Sequence, residues 1–219
     1  MNRKACILGA TGLVGGHLLD LLSEDESYSE IIVVNRRDTG VSEGKIKEVV
    51  IEQFDQLDQH TATLKADDYY CCLGTTIKTA GSKEAFKKVD FEYVVNIAAV
   101  AKENDADSFS VISAMGAKAG SMIFYNQVKG EMEDAVKAIK NKRTYIFRPS
   151  LIAGNRNEER AGEKTAQWIF DKLDFVFKGP LKKYGAVDAK QIARAMQKTV
   201  AKNQESFLII ESDKIQEIK

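Results

Sequence analysis

The sequence predicts an α/β protein built on a doubly wound parallel sheet. Three observations support this prediction: a strand that leads into a glycine-rich turn and a helix, apolar runs that alternate with helical patterns, and a length that can bury one core. The runs are apolar throughout, which is typical of strands that helices cover on both faces of a sheet. They lie at Ala5–Leu8, Ile31–Val34, Val49–Ile51, Tyr69–Leu73, Phe109–Ile112, Tyr145–Phe147 and Phe207–Ile210.

The first strand ends in a turn that has the properties of a phosphate-binding loop. Its glycines follow the spacing GxxGxxG, and a helical pattern from His17 to Leu22 comes directly after them. Glycine allows positive φ angles and close approach of a pyrophosphate, while the helix start offers unpaired N–H groups. The spacing differs from the common GxGxxG fingerprint, so a glycine-rich connection without a ligand is the alternative. We expect a dinucleotide to be bound by Gly9, Thr11, Gly12, Leu13, Val14 and Gly15.

The end of the second strand indicates which dinucleotide is bound. A site for NAD has a carboxylate about 20 residues beyond the glycines, whereas this strand ends in Asn35, Arg36 and Arg37. Guanidinium groups match a phosphate in geometry and charge, so Arg36 and Arg37 favour the 2′-phosphate of NADP. The alternative is a pair of exposed surface arginines.

A serine, a tyrosine and a lysine follow the fifth strand. Ser113 closes that strand, and Tyr125 and Lys129 lie four positions apart in a helical stretch, so that they share one helix face. A tyrosine and a lysine at this spacing occur often by chance. Their position after a strand that ends in serine, in a chain with a phosphate-binding turn, makes them candidates for chemistry at the carboxyl end of the sheet.

The charge balance and the remaining motifs limit the function further. Lys and Arg number 32, as do Asp and Glu, so no overall field attracts nucleic acid or an anionic membrane, and we expect a small-molecule substrate. His17 and His60 have no metal-like spacing, and we expect no metal. The N-terminus enters a strand within four residues and the odd number of cysteines suggests buried thiols, from which we expect a cytoplasmic protein. Those cysteines are Cys6, Cys71 and Cys72.

Two further features lie toward the C-terminus. The aromatic segment Ala161–Lys178 predicts either a core-packing helix or a lid over a substrate. Asp188 followed by Gln191 predicts a capping box and a helix that starts near residue 189.

Taken together, these motifs resemble the short-chain dehydrogenase/reductase superfamily, and within it the atypical Tat-interacting-protein-like oxidoreductases. The resemblance covers most of the chain. It rests on residues 9–15, 35–37, 71–76, 89–90, 125–129, 147–149 and 154–156. It implies a single NAD(P)-binding Rossmann domain over residues 1–219, with a small C-terminal lobe on the substrate side within about residues 150–190.

The resemblance also implies roles for individual residues. Tyr125 would exchange a proton with the substrate oxygen, Lys129 would bind the nicotinamide ribose and favour the ionised phenol, and Ser113 would hydrogen-bond the reacting oxygen. Further cofactor contacts would come from Leu73, Gly74, Thr75, Pro149, Leu151 and Ile152. The turn after the fourth strand departs from the asparagine-alanine-glycine turn of many relatives, which leaves the proton relay beyond Lys129 open between Asp90 and Asn96.

Two functions therefore remain as expectations. The first is an NADP-dependent oxidoreductase that moves hydride between nicotinamide and a small, apolar carbonyl or alcohol, with a pocket wall that includes Thr75, Thr76, Met115 and Ile123. The alternative is an NADPH-binding sensor that regulates a protein partner without turnover. The presence of Ser113, Tyr125 and Lys129 in register favours the enzyme. The sequence leaves open whether the protein is a monomer or a dimer.

Overall fold

The computed structural model describes residues 2–154 and 185–218, and within them a seven-stranded parallel sheet. The strand order is β3-β2-β1-β4-β5-β6-β9, and a separate pair, β7 and β8, forms a small second sheet. The strands are β1 (Arg3–Leu8), β2 (Tyr28–Asn35), β3 (Ile46–Val50), β4 (Asp68–Cys71), β5 (Ser108–Ile112), β6 (Thr144–Arg148), β7 (Ile152–Ala153), β8 (Val187–Asp188) and β9 (Phe207–Glu211).

Helices connect most of the parallel strands, whereas β2 and β3 are joined by residues 36–45, which contain no helix. The helices are α1 (Leu13–Glu24), α2 (Ile77–Ala80), α3 (Lys83–Lys87), α4 (Tyr93–Glu103), α5 (Phe124–Ile139), α6 (Ala189–Lys202) and α7 (Ser212–Glu217), with a 3₁₀ helix at Phe54–His60 and a π-helical turn at Lys88–Glu92. Strand order reverses between β1 and β4, because β1 continues to β2 on one side and the later strands are added on the other. Ligands of open α/β sheets bind at such a switch point, beside the carboxyl ends of the strands.

A separate hydrophobic core covers each face of the sheet. Side chains of α1 and α6 pack on one face around Ile7, Val33 and Tyr145, and side chains of α4 and α5 pack on the other around Leu8, Val111 and Ile146. Burial on both faces explains why the strands are apolar throughout. The doubly wound sheet is therefore confirmed.

The amino-terminal end of the sheet, opposite the predicted site, is closed by a polar network around Asp68. This carboxylate is fully buried and accepts hydrogen bonds from Arg3, from the Tyr28 hydroxyl at 2.8 Å and from the Ser108 hydroxyl at 2.6 Å. Its partners come from β1, β2 and β5, so one acidic side chain connects strands on both sides of β4. Burial raises the pKa of Tyr28, and the adjacent Asp68 raises it further.

The strand boundaries differ from the predicted runs by one to three residues, as they do at the starts of β3 and β4. β3 begins at Ile46 instead of Val49, because this edge strand is only half-buried and its polar residues masked it in the sequence. β4 begins at the buried Asp68, a residue type that gives no strand signal. The extent of the domain, 1–219, stays a prediction.

Most of the predicted C-terminal lobe lies outside the described residues, including the segment Ala161–Lys178 and residues 155–156 of the resemblance. Its described parts are β7 and β8, which pair in parallel through Ile152 and Val187. α6 begins at Ala189 as predicted, with Asp188 accepting from the Lys190 N–H at 2.7 Å. Gln191 does not complete the capping box, since its amide donates to the carbonyls of Ile215 and Ile218. Within the described ranges, no helix has both the length and the apolar character needed to cross a bilayer.

Candidate active site

The glycine turn is packed so closely that Gly9 and Gly15 have no room for a side chain. Gly9 has a φ of 83°, and a Cβ on it would lie 2.7 Å from the Cys72 carbonyl oxygen. A Cβ on Gly15 would lie 2.1 Å from the Gly9 carbonyl oxygen, where no atom fits. The Gly12 N–H donates to that same oxygen at 3.0 Å. The turn thus brings α1 and the end of β4 into contact with the end of β1.

The start of α1 is free to bind an anion. Gly12 is the N-cap, no described side chain caps the helix, and its first turn contains no acidic residue. The first N–H groups of a helix have no partner inside it and carry the positive end of the helix dipole. Thr11 and Gly12 are exposed, so a diphosphate can reach these groups. The turn therefore fits the pyrophosphate of a dinucleotide.

The loop after β2 presents two exposed guanidinium groups. Arg36 and Arg37 form no ion pair or hydrogen bond through their side chains with any residue in 2–154 or 185–218. The loop that carries them is fixed by Glu48 of β3, which accepts hydrogen bonds from Asn35 at 2.6 Å and from the N–H and hydroxyl of Thr39. These bonds from Asn35 and Thr39 lower the pKa of Glu48 to about 2.

The loop after β4 is fixed by Asp90. The Thr75 N–H donates to Oδ2 of Asp90 at 2.9 Å, and the space beside Gly74 is bounded by the same carboxylate. Asp90 lies in the π-helical turn that precedes α4, where it is fully buried. A π-turn inserts one extra residue into a helix and often occurs at functional sites, because it redirects one side chain.

Asp90 also contacts the predicted lysine. Nζ of Lys129 lies 2.7 Å from Oδ1 of Asp90, and the two side chains are only 3% and 1% exposed. The same ammonium lies 3.5 Å from the Ile112 carbonyl oxygen, at the end of β5. Burial alone would lower the pKa of Lys129, but attraction to Asp90 and Tyr125 outweighs it and raises the pKa above the ordinary lysine value. Lys129 is therefore a cation at neutral pH.

Tyr125 lies in the first turn of α5, one helical turn before Lys129. Its ring packs against the fully buried ring of Phe86 on α3, with centroids 5.5 Å apart and planes at 42°. Phe124 packs against Phe86 as well, at 5.9 Å. Farther along α5, Gly130 packs against the loop after β5, since a Cβ there would lie 2.1 Å from the Ala119 nitrogen. Tyr125 as a whole remains half-buried.

Ser113 is bonded within the protein through both its backbone and its side chain. Its backbone N–H donates to the Phe147 carbonyl at 2.7 Å, and its buried hydroxyl donates to the carboxylate of Glu133. Glu133 in turn is paired with Arg148, whose Nε lies 3.0 Å from Oε1. No contact joins Ser113 to Tyr125 in the part of the chain that the structure describes. The predicted hydrogen bond from Ser113 to the reacting oxygen stays a prediction.

The exit of β6 leads back toward the glycine turn. Pro149 is buried and its carbonyl accepts from the Met115 N–H at 2.9 Å, while Leu151 and Ile152 are exposed. A Cβ on Gly154 would lie 2.8 Å from a methyl group of Leu13. This contact places the end of β7 against the start of α1.

The structure brings most of the predicted residues to one edge of the sheet. The glycine turn, the loop Leu73–Thr75, Tyr125 and Lys129 all lie at the carboxyl ends of the strands around the switch point. Of the two candidates for a partner of Lys129, Asp90 makes the contact, whereas Asn96 lies farther along α4. Sequence reasoning missed Phe86, Glu133 and Glu48. The signal for Glu133 was its spacing, four positions after Lys129 on the same helix face.

Other predicted features have no role at this edge. Burial raises the pKa of Cys71 to about 12 and also raises that of Cys6 and of Cys72, which disfavours the thiolate form of each. All three are free. Among the described residues, no group of three or more His, Cys, Asp or Glu side chains is placed to hold a metal.

The fold and the site define a class: a dinucleotide-binding Rossmann domain of the short-chain dehydrogenase/reductase type. Residues 5–202 match the model of the NAD dependent epimerase/dehydratase family, and the chain belongs to this family. The resemblance predicted from the sequence is thereby confirmed. Membership supports a function of the NAD(P)-dependent oxidoreductase type.

Relatives and solved structures agree with this assignment. Protein HTATIP2 of Rattus norvegicus is 34% identical over 176 residues, which are 78% of this chain and 72% of the relative. Protein fmp52, mitochondrial, of Aspergillus clavatus is 31% identical over 198 residues, 88% of this chain and 84% of the relative. An oxidoreductase of the short chain dehydrogenase/reductase family from Burkholderia thailandensis has the same fold, with a TM-score of 0.72, 14% identity, and coverage of 98% of this chain and 93% of that one. UDP-glucose 4-epimerase from Thermotoga maritima has a TM-score of 0.71, 15% identity, and coverage of 95% and 76%.

These relatives contradict one expectation. The sequence predicts a cytoplasmic protein, but several fungal relatives are named as mitochondrial proteins. Buried thiols occur in proteins of more than one compartment, which is why they gave the wrong location.

Proposed function

We propose that this protein is an NADP(H)-dependent oxidoreductase that transfers hydride between the nicotinamide and a small, apolar carbonyl or alcohol. One observation carries the proposal. A half-buried tyrosine and a buried, charged lysine occupy one face of α5, at the carboxyl edge of the sheet beside a cradle shaped for a diphosphate. A protein that only binds a dinucleotide has no need of this pair.

The residues present fit such a cofactor. Gly9 and Gly15 let the turn pack closely against the end of β4 and the start of α1, where a Cβ would collide with backbone, and the start of α1 supplies N–H donors. The loop Leu73–Thr75 follows β4, and its Thr75 N–H is held by Asp90. Lys129 places an ammonium group against the same carboxylate. Pro149, Leu151 and Ile152 are proposed to border the nicotinamide.

Tyr125 is proposed as the group that gives a proton to the substrate oxygen or takes one from it. A bound nicotinamide supplies or accepts the hydride. The cation of Lys129 stabilises the negative charge that the phenol acquires when it gives up its proton, and such fixed charges are effective where water is excluded. Asp90 holds the lysine and the Thr75 loop with one carboxylate, so the proton donor and the cofactor loop have a common support.

Arg36 and Arg37 support the preference for NADP(H). They lie at the end of β2, next to β1, where the adenosine ribose binds in folds of this type. Both are exposed, and neither has an acidic partner within the described ranges. Two unpaired guanidinium groups fit a phosphate better than they fit the hydroxyl of NAD.

Apolar side chains that follow the ends of the strands support an apolar substrate. Ile77, Met122, Ile123, Leu151 and Ile152 are exposed, and they follow β4, β5 and β6 at the edge that carries Tyr125. Large apolar side chains at an exposed edge are typical of a binding surface for an apolar molecule.

A screen of NADPH oxidation with aldehydes, ketones and quinones tests the proposal. We expect turnover with at least one apolar carbonyl, and its loss in Tyr125→Phe. Tight NADPH binding with no turnover on any substrate would favour a sensor that acts on a protein partner. Turnover that survives in Tyr125→Phe would exclude the proposed role of the tyrosine.

A further inference from the structure

Glu133 is a buried carboxylate on the same face of α5 as Tyr125 and Lys129. The three residues are spaced four positions apart, so each lies one helical turn beyond the previous one. Glu133 is 5% exposed, and it lies in the second half of the helix. A buried carboxylate requires partners that satisfy its charge and its oxygens.

Those partners come from two strands. Oε1 of Glu133 accepts from Ser113, at the end of β5, and from Nε of Arg148, at the end of β6. Oε2 accepts from Nη2 of Arg148, so the guanidinium binds the carboxylate with two parallel bonds. Nη1 of Arg148 lies 2.9 Å from Glu211 on β9. Glu133 thus ties the catalytic helix to the carboxyl ends of β5 and β6, and Arg148 extends the network to β9.

The pairing decides what the Ser113 hydroxyl can do. A carboxylate bound to a guanidinium accepts hydrogen bonds and donates none, so the hydroxyl hydrogen of Ser113 must point at Glu133. A serine has one such hydrogen. Ser113 therefore has no hydrogen to donate to a carbonyl oxygen, and only its lone pairs are free. The carbonyl of a substrate is itself an acceptor and gains nothing from them.

We propose that Ser113 and Glu133 are positioning residues, which hold α5 in the position that places Tyr125 and Lys129 beside the cofactor. Ser113 acts through Glu133 and does not donate a hydrogen bond to the reacting oxygen. This inference rests on the proposed function for its kinetic consequences. Its effect on cofactor binding is independent of turnover, because Lys129 lies one helical turn from Glu133.

Three variants test this positioning role: Ser113→Ala, Glu133→Gln and the double variant. Glu131→Gln is the matched control, since Glu131 is a neighbouring glutamate of α5 that bonds Gln127 and Lys87 and does not contact Ser113. For each protein we would measure the Kd for NADPH, kcat and KM for a carbonyl substrate, and the thermal midpoint. The Kd and the midpoint are measurable even if no substrate turns over.

We expect Glu133→Gln to weaken NADPH binding and to lower kcat, each by about 10-fold, because a small displacement of the helix moves both Lys129 and Tyr125. Ser113→Ala should lower kcat less than about 10-fold with KM unchanged, and adding it to Glu133→Gln should have little further effect because the two residues act as a unit. Glu131→Gln should change neither constant.

Two results would overturn the inference. One is a loss of about 100-fold or more in kcat for Ser113→Ala, with an unchanged Kd for NADPH and an unchanged midpoint, which would make the serine a donor to the reacting oxygen. The other is a folded Glu133→Gln protein whose Kd for NADPH equals that of the wild type. Absence of turnover in the wild type would count against the proposed function. The Kd values for NADPH would still decide whether Ser113 and Glu133 position the helix.

Discussion

Asp90 and Lys129 form a buried ion pair, with 2.7 Å between Oδ1 and Nζ. The pair joins the π-helical turn before α4 to the middle of α5, and the second oxygen of Asp90 holds the Thr75 N–H. One carboxylate therefore fixes both the lysine and the loop that borders the cofactor site.

Asp90→Asn should destabilise the protein, because it leaves a buried ammonium without its anion. Loss of one partner of a buried pair costs about 3 kcal/mol. The pKa of Lys129 is raised in the folded state, so the stabilisation by this pair is complete below the unfolded lysine pKa of about 10.4 and is lost as the pH rises through the folded pKa. We expect the difference in unfolding free energy between wild type and variant to be constant from neutral pH to about pH 10 and to shrink above it.

Urea unfolding at a series of pH values measures this difference. The control is Asp55→Asn, which removes the exposed partner of Lys88 and should leave the stability nearly unchanged. Equal stability of Asp90→Asn and the wild type at neutral pH would show that the pair contributes nothing.

Two adjacent glycines of α1 should respond in opposite ways to the same substitution. In Gly15→Ala the new Cβ would lie 2.1 Å from the Gly9 carbonyl oxygen, so the glycine turn must open. In Gly16→Ala the nearest atom is the Ala10 carbonyl oxygen at 3.5 Å, an ordinary contact, and alanine is the better helix former by about 1 kcal/mol. We expect Gly15→Ala to lose NADPH binding, and Gly16→Ala to bind NADPH and to be at least as stable as the wild type. Isothermal titration and thermal melts measure both, and NADPH binding by a folded Gly15→Ala protein would refute the proposed cradle.

Replacement of Arg36 and Arg37 by alanine should affect one cofactor only. Charge-assisted hydrogen bonds to a phosphate are worth on the order of 2 to 3 kcal/mol. The free energy of NADPH binding should therefore weaken by that amount, while the Kd for NADH stays nearly the same. Competition titration with the two cofactors measures both values. Equal losses for NADPH and NADH would mean that the arginines do not recognise the 2′-phosphate.

Sequence reasoning identified the parts of this site that are local in the chain. The glycine turn and the pair Tyr125 and Lys129 depend on a turn and on one helix, where spacing alone decides which residues meet. The strand, turn and helix around Gly9 could therefore be predicted together with the doubly wound sheet.

The parts that were missed depend on contacts between distant segments. Glu133 meets Ser113 and Arg148 only because β5 and β6 pair in a particular register, with Ile112 opposite Phe147. Phe86 reaches Tyr125 through the packing of α3 against α5. The resemblance gave Ser113 a role toward the substrate oxygen, whereas its bond to Glu133 depends on the packing of α5 against β5, which the sequence does not show.

The central claim is that Tyr125 exchanges the proton during hydride transfer. The most direct test is the single-turnover rate of NADPH oxidation by an apolar carbonyl, measured for the wild type and for Tyr125→Phe together with the Kd for NADPH. Phenylalanine keeps the ring that packs on Phe86 and removes only the hydroxyl, so the fold and the cofactor affinity should be preserved. We predict a loss of rate of about 100-fold or more at an unchanged Kd, the size expected when a general acid is removed. An unchanged rate in Tyr125→Phe would contradict the claim.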